Sequence, residues 1–158
     1  MIVKANYDDL KQILTLQKEA YQSEAKLYND YSISPLTQSL EEIRNDYLNQ
    51  TILKATHDNT IIGSVRAYQK GNVCHIGRLI VHPKHQNKGN GKELMNTIEK
   101  LFGACDKYSL FTGYRSEKNL HLYTSLGYKR VKREKMNSSV TLIYLEKSNY
   151  DRSLKNRE

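Results

Sequence analysis

Cysteine is scarce in this chain: Cys74 and Cys105 are the only two among 158 residues. They are too few and too far apart for a disulfide framework or a zinc site, and a reducing cytoplasm is the expected setting. Long apolar runs are missing as well. No stretch approaches the roughly 18 residues that a spanning helix needs. The first residues, MIVKANYDDLKQ, lack the apolar core of a secretory signal. There is no internal repeat, low-complexity tract or Pro/Ser-rich linker. Residues 1–147 therefore read as a single domain, followed by a polar tail over 148–158 that is expected to fray.

What is present is globular. Hydrophobic residues make up 38% and charged residues 27%, which suits a folded chain of this length with one core. The net charge of +8 is unevenly spread. Residues 1–60 hold six Lys/Arg and nine Asp/Glu, a net of −3, while residues 61–158 hold nineteen and eight, a net of +11. A basic part suits a polyanionic partner and an acidic part a cationic one. Taken alone, both also describe solvated surface.

Hydrophobic spacing supplies the elements. MIVKA is a short strand. DDLKQILTLQKEAYQ places Leu10, Ile13, Leu14, Gln17, Ala20 and Tyr21 on one helical stripe, with Asp8 near its start. SEAKLYNDYSISPLTQ reads as helix, then loop broken at Pro35. Ser39 ahead of Glu42 has the spacing of a capping box. Residues 51–81 contain three strand-like runs joined by HDNT and QKGN turns, an antiparallel meander. A helix follows, with Leu94, Met95, Ile98, Leu101 and Phe102 on one face. YSLFTG is a strand, SEKNLHLYTSL a helix stopped at Gly127, and a hairpin around Asn137 and Ser138 closes the pattern. The class is α+β, with a central mixed and mostly antiparallel sheet flanked by helices. It is parallel where the helix from Asn90 crosses over to the strand at Tyr108.

The stretch QNKGNGKELMNTIEK (86–100) puts two glycines at the mouth of an amphipathic helix. Glycine there costs chain entropy and adds no packing, so bare backbone is needed at that point. A P-loop is excluded, because Gln86 and Glu93 stand where it requires Gly and Ser/Thr. The dinucleotide fingerprint fails at Leu94. What is left is Gln-x-x-Gly-x-Gly between RLIVHP and a helix. Its amides can point into one concavity at the positive end of a helix dipole, among Lys84, His85, Lys88 and Lys92.

LIVHPKHQNKGNGKELM resembles the acyl-CoA-binding motif of the GNAT superfamily of N-acetyltransferases: (Gln/Arg)-x-x-Gly-x-(Gly/Ala) after a strand and Val-x-Pro. Downstream, Leu122, Tyr123, Gly127 and Tyr128 in SEKNLHLYTSLGY resemble the second family signature. The resemblance implies the GNAT acyltransferase fold and acetyl-CoA as donor, with no metal. The phosphates of that donor carry about −3.5 to −4 charges, and Gln86, Asn87, Lys88, Gly89, Asn90, Gly91 and Lys92 would receive them. The pantetheine arm would lie as an extra strand along Leu79, Ile80 and Val81. An amide near Leu79 or Ile80 would steady the oxyanion, a donor typically worth about 3 kcal/mol. Many members carry an asparagine seven residues before the tyrosine; Ser116 stands there, and Asn119 one turn later, so either could contact coenzyme A, with Asn119 the favoured contact and Ser116 the expected helix cap.

Tyr123 is the expected general acid, since a phenol of pKa about 10 keeps its proton beside a departing thiolate of about 8.5. His75, on the strand leading to Leu79, is a candidate base, with Glu19 and Glu24 as alternatives. In this family the first helices and their loop wall the acceptor site. Here they offer Glu19, Glu24 and Asp30 among Tyr21, Tyr28 and Tyr31 to a small primary amine, a peptide N-terminus or a lysine. Cys74 and Cys105 read as plain buried thiols. Two rival functions stand beside the enzyme. A nucleic-acid module would use the basic surface, but no helix-turn-helix, zinc or RNA-binding signature is present. A non-catalytic CoA-binding regulatory domain would keep the glycine loop without needing Tyr123. Relatives that pair through their sheets suggest a homodimer by analogy.

Overall fold

The computed structural model describes residues 1–149. One seven-stranded sheet has the order β1-β2-β3-β4-β5-β7-β6. The strands are β1 (Ile2–Lys4), β2 (Thr51–His57), β3 (Thr60–Lys70), β4 (Val73–Val81), β5 (Lys107–Gly113), β6 (Lys129–Lys135) and β7 (Thr141–Ser148). Neighbours are antiparallel except β4 and β5, which run parallel. The helices are α1 (Leu10–Ala20), α2 (Gln22–Tyr28), α3 (Ser34–Thr37), α4 (Leu40–Asn49), α5 (Asn90–Leu101) and α6 (Glu117–Ser125).

Local chemistry explains most boundaries. Asp58 and Asn59 both take positive φ, the geometry of a two-residue hairpin, and short polar side chains tolerate it. Ser39 and Glu42 form the expected capping box at α4. The chain before α1 differs from expectation: Asn6 and Asp9 cap a 3-10 turn over Tyr7–Asp9, and α1 begins behind it. Pro35 likewise lies in the first turn of α3, where its missing N–H costs nothing, so it helps start a short helix. Leu94, Met95 and Ile98 are buried as expected, but Leu101 is exposed because it is the last helical residue. Ser148 closes β7. Asn149 is tied to Gly103, Cys105 and Asp106, and the rest of the expected tail lies outside the described residues.

The sheet is covered on both faces. Leu53, Ala55, Val65, Ala67, Cys74 and Ile76 pack with Leu94, Met95 and Ile98 of α5. On the opposite face Ile52 packs with Leu10, Ile13, Leu14 and Ile43 of α1 and α4. Each such buried aliphatic contributes about 1.5–3 kcal/mol of transfer free energy. Strand β6 rims the sheet with exposed Lys129, Arg130, Lys132, Arg133 and Lys135, charges that discourage edge-to-edge pairing.

One feature of the sheet positions the site. β4 and β5 pair only from Val73↔Lys107 to His75↔Ser109. Beyond that, β4 stays with β3 and β5 stays with β7, so the two strands splay into a wedge. The β5-facing edge of β4 from Ile76 onward is left without a strand partner. Within that stretch Arg66 pairs with Gly77 and Ser64 with Ile80, so β4 carries one extra residue. The bulge holds Arg78 at φ 51, a left-handed conformation uncommon for arginine.

Candidate active site

The loop before α5 is shaped by two left-handed residues, Asn87 at φ 61 and Gly89 at φ 86. Among the described residues, none of the main-chain N–H groups of residues 86–92 donates to another protein atom. Successive unpaired amides in alternating conformations form an anion-binding nest, and the α5 dipole reinforces it. A Cβ on Gly89 would meet nothing within 4 Å, so the concavity is open. Two side chains brace the loop from behind: Gln86 Nε2 donates to Val81 O at 3.0 Å, and Asn90 Nδ2 to His85 O at 2.9 Å. Lys84, Lys88 and Lys92 are exposed around it. These are the features a nucleotide diphosphate requires, and the residues fit the phosphates of acetyl-CoA.

Gly91 plays a different part from Gly89. Its φ is ordinary, and an added Cβ would lie 3.4 Å from Leu122 and 3.9 Å from both Leu79 and Val81. The first turn of α5 therefore sits on the open end of β4 and beside α6. Tyr123 follows Leu122 and is buried, with its ring 6.0 Å from that of Tyr128. Burial pushes its phenol well above the ordinary value, with Tyr21 and Glu24 adding to the effect from the other side of the wedge. Among the described residues its hydroxyl has no hydrogen-bond partner. Tyr128 is instead committed to packing, donating to Glu99 Oε2 at 2.9 Å.

The α1–α2 side supplies the facing wall. Glu24 is half-buried and accepts a hydrogen bond from Ser116 Oγ. Ser116 occupies the N-cap position just before α6, but its hydroxyl does not cap the helix as expected. It is spent on Glu24 and on Tyr28, 3.3 Å away. Tyr28 also accepts from the Arg115 amide at 2.8 Å, so it closes the wall rather than offering a free hydroxyl. Asn119 is half-buried and donates to Thr112 at 3.3 Å. Glu19 is exposed and faces His82 at 3.4 Å, while Tyr31 is exposed.

His75 is not gathered with these groups. It stacks on Tyr68 at 5.0 Å, on the paired part of β4. It stands four residues short of Leu79, about 13 Å at about 3.3 Å per residue. Burial and Lys70 hold its imidazole below the usual value. Cys74 and Cys105 are free, buried thiols, with Cys74 pushed up to about 12 by burial. Two residues at the site were missed by sequence reasoning: Arg66 and Arg78. A signal existed for the arginines, since a cation inside an apolar strand such as SVRAY or IGRLIV needs a purpose.

The acetyltransferase (GNAT) family model matches residues 10–128. The chain belongs to this family. It is an acetyltransferase whose donor is acetyl-CoA. Solved structures agree on the fold. A PaiA N-acetyltransferase from Thermoplasma acidophilum, in complex with coenzyme A, is 21% identical with a TM-score of 0.79, covering 94% of this chain and 98% of that one. The ribosomal-protein-S18-alanine N-acetyltransferase from Escherichia coli is 12% identical (TM-score 0.78; 94% and 92% covered). A spermidine N-acetyltransferase chimera from Vibrio cholerae and hSSAT is 17% identical (TM-score 0.76; 97% of each). Among the described residues, no helix of this GNAT chain is long and apolar enough to cross a membrane.

Proposed function

We propose that this acetyltransferase moves the acetyl group of acetyl-CoA directly to a small primary amine, with donor and acceptor bound together. The observation that carries the reading is the continuity of three elements: the unbonded amides of residues 86–92, the unpaired edge of β4, and Tyr123 beside the wedge. A diphosphate held at the first leaves its acyl end reaching along the second toward the third. Two of the solved relatives are named for spermidine and for a protein alanine, both of which present amines.

Glu24 is the base in this reading. Its charge acts on the Tyr123 phenol, where a carboxylate can take the ammonium proton directly or through water, whereas His75 lies at the paired, closed end of the wedge. As nitrogen bonds to the acetyl carbon and the carbon–sulfur bond breaks, Tyr123 gives its proton to sulfur. Nitrogen loses two protons in all: one, taken by Glu24 before attack, passes to solvent, and the second, lost as the C–N bond forms, restores the phenolate through solvent. Burial keeps Tyr123 protonated at neutral pH, the state an acid needs. An amide of the bulged β4 segment near Leu79 holds the developing oxyanion.

The test is an amine panel with acetyl-CoA, reading released thiol. Turnover on small amines supports the proposal. Acetylation confined to peptides or proteins would reassign the acceptor. Thioester binding with no transfer to any amine would favour a regulatory CoA-binding role.

A further inference from the structure

The acceptor side of the wedge contains a hollow with an unusual charge arrangement. Arg66 on β3 pairs directly with Gly77 on β4, so positions 66 and 77 share the face covered by α1 and α4. A Cβ on Gly77 would meet no atom within 4 Å. Space is thus left beside the Arg66 side chain, where the sequence places no side chain to fill it.

Arg66 is buried and only partly satisfied. It donates Nη1 to Asp46 at 2.8 Å and Nη2 to Gln17 at 2.6 Å. Its Nε is buried without a partner, the single such atom among the described residues. An orphaned charged donor inside a protein is costly unless something completes it. Arg78 stands next to Gly77 on the bulge. It donates to Ser34 at 3.0 Å and forms no ion pair among the described residues. Asp46 balances Arg66 directly; Arg78 has no such close counter-ion among the described residues, only the more distant charge of Glu42 and the Tyr21 hydroxyl beside it. Tyr21 lies between these arginines and Glu24, close enough to feel all three charges. The wall therefore carries both signs: the cations Arg66 and Arg78, and the anion Glu24 near the neutral Tyr123.

Resting on the acetyltransferase reading above, we infer that the acceptor is an amine that also carries a carboxylate. Its amino group sits at Glu24 and Tyr123, and its carboxylate takes Arg78 and the free Nε of Arg66. A guanidinium favours this ligand, because its planar donors match carboxylate oxygens and it stays charged when half-buried. A polyamine without an anionic end would place a cation against Arg78 instead.

The experiment uses matched trios: lysine, lysine amide and cadaverine, and phenylalanine, phenylalanine amide and phenethylamine. Each is titrated by calorimetry against the full chain saturated with desulfo-CoA, and each is assayed with acetyl-CoA for thiol release. We expect the carboxylate member of at least one trio to bind about tenfold or more tightly than its partners. Arg78→Gln should erase that ratio while the chain keeps its melting temperature. Equal or tighter binding of the amides or decarboxylated amines overturns the inference, as does no binding by any member. An unchanged ratio in Arg78→Gln also overturns it. Carboxylate-selective binding that Arg78→Gln erases, without thiol release, supports the carboxylate subsite but overturns the reading of its ligand as the acetyl acceptor.

Discussion

Gly91 and Leu122 meet where α5, α6 and the open end of β4 converge: a Cβ on the glycine would stand 3.4 Å from Leu122 Cδ2. The two signatures, 31 residues apart from Gly91 to Leu122, are thus one structural unit. The glycine loop sets where the donor's phosphates lie, and the residue after Leu122 is the proposed acid. The same contact separates the roles of the two glycines.

Gly89→Ala and Gly91→Ala should behave differently. At φ 86, alanine at 89 costs about 1–2 kcal/mol and sets a methyl in the open cradle. Alanine at 91 makes ordinary contacts with Leu122, Leu79 and Val81. Acetyl-CoA titrations should show affinity falling at least about fivefold for Gly89→Ala and less than about twofold for Gly91→Ala.

Tyr123→Phe should lower kcat by about 10²-fold or more and leave acetyl-CoA affinity nearly unchanged. Steady-state kinetics beside a binding titration measure both. Equal turnover in the variant would assign the proton to another donor.

Glu24→Gln should reduce kcat/KM for the amine by about 10²-fold, since it removes the base while keeping size and hydrogen bonding. Ser116→Ala removes only the hydroxyl that steadies Glu24, and its loss should be about tenfold or less. Amine kinetics at saturating acetyl-CoA rank the two, and the reverse order would move the base elsewhere.

Donor binding should strengthen as pH falls through the histidine range. Burial, then Lys88, holds His85 below its usual value in the free protein. A bound polyanion beside it raises that value, so binding takes up a proton, and the uptake is largest between the free and bound values. Calorimetry in two buffers of different ionisation enthalpy reads the uptake directly. In His85→Gln this share of it should vanish, leaving that of the donor's own phosphate.

Asp46→Ala should destabilise the chain by about 3–5 kcal/mol, because it strips the counter-charge from an arginine already held down to about 10 by burial. Denaturant unfolding gives the value. A loss under about 1 kcal/mol would mean that Arg66 is solvated in a way its burial does not show.

Much of this was legible in the sequence because it is local. Turn residues marked the meander, Ser39 and Glu42 marked α4, and the glycine pair marked a backbone nest. What escaped notice depends on distant partners. Nothing around Arg78 announces a bulge, since its left-handed φ comes from pairing with β3. Ser116 reads as a cap until Glu24 and Tyr28, about 90 residues earlier, take its hydroxyl. His75 shares a strand with Leu79, but only the splay of β4 from β5 shows that it lies at the closed end.

The most direct measurement is an amide proton–nitrogen NMR titration with acetyl-CoA. The largest saturable shifts should fall on the main-chain amides of residues 86–92, with smaller ones along Leu79–Val81. Saturation with those seven amides unmoved, or no shift at all, would contradict the account.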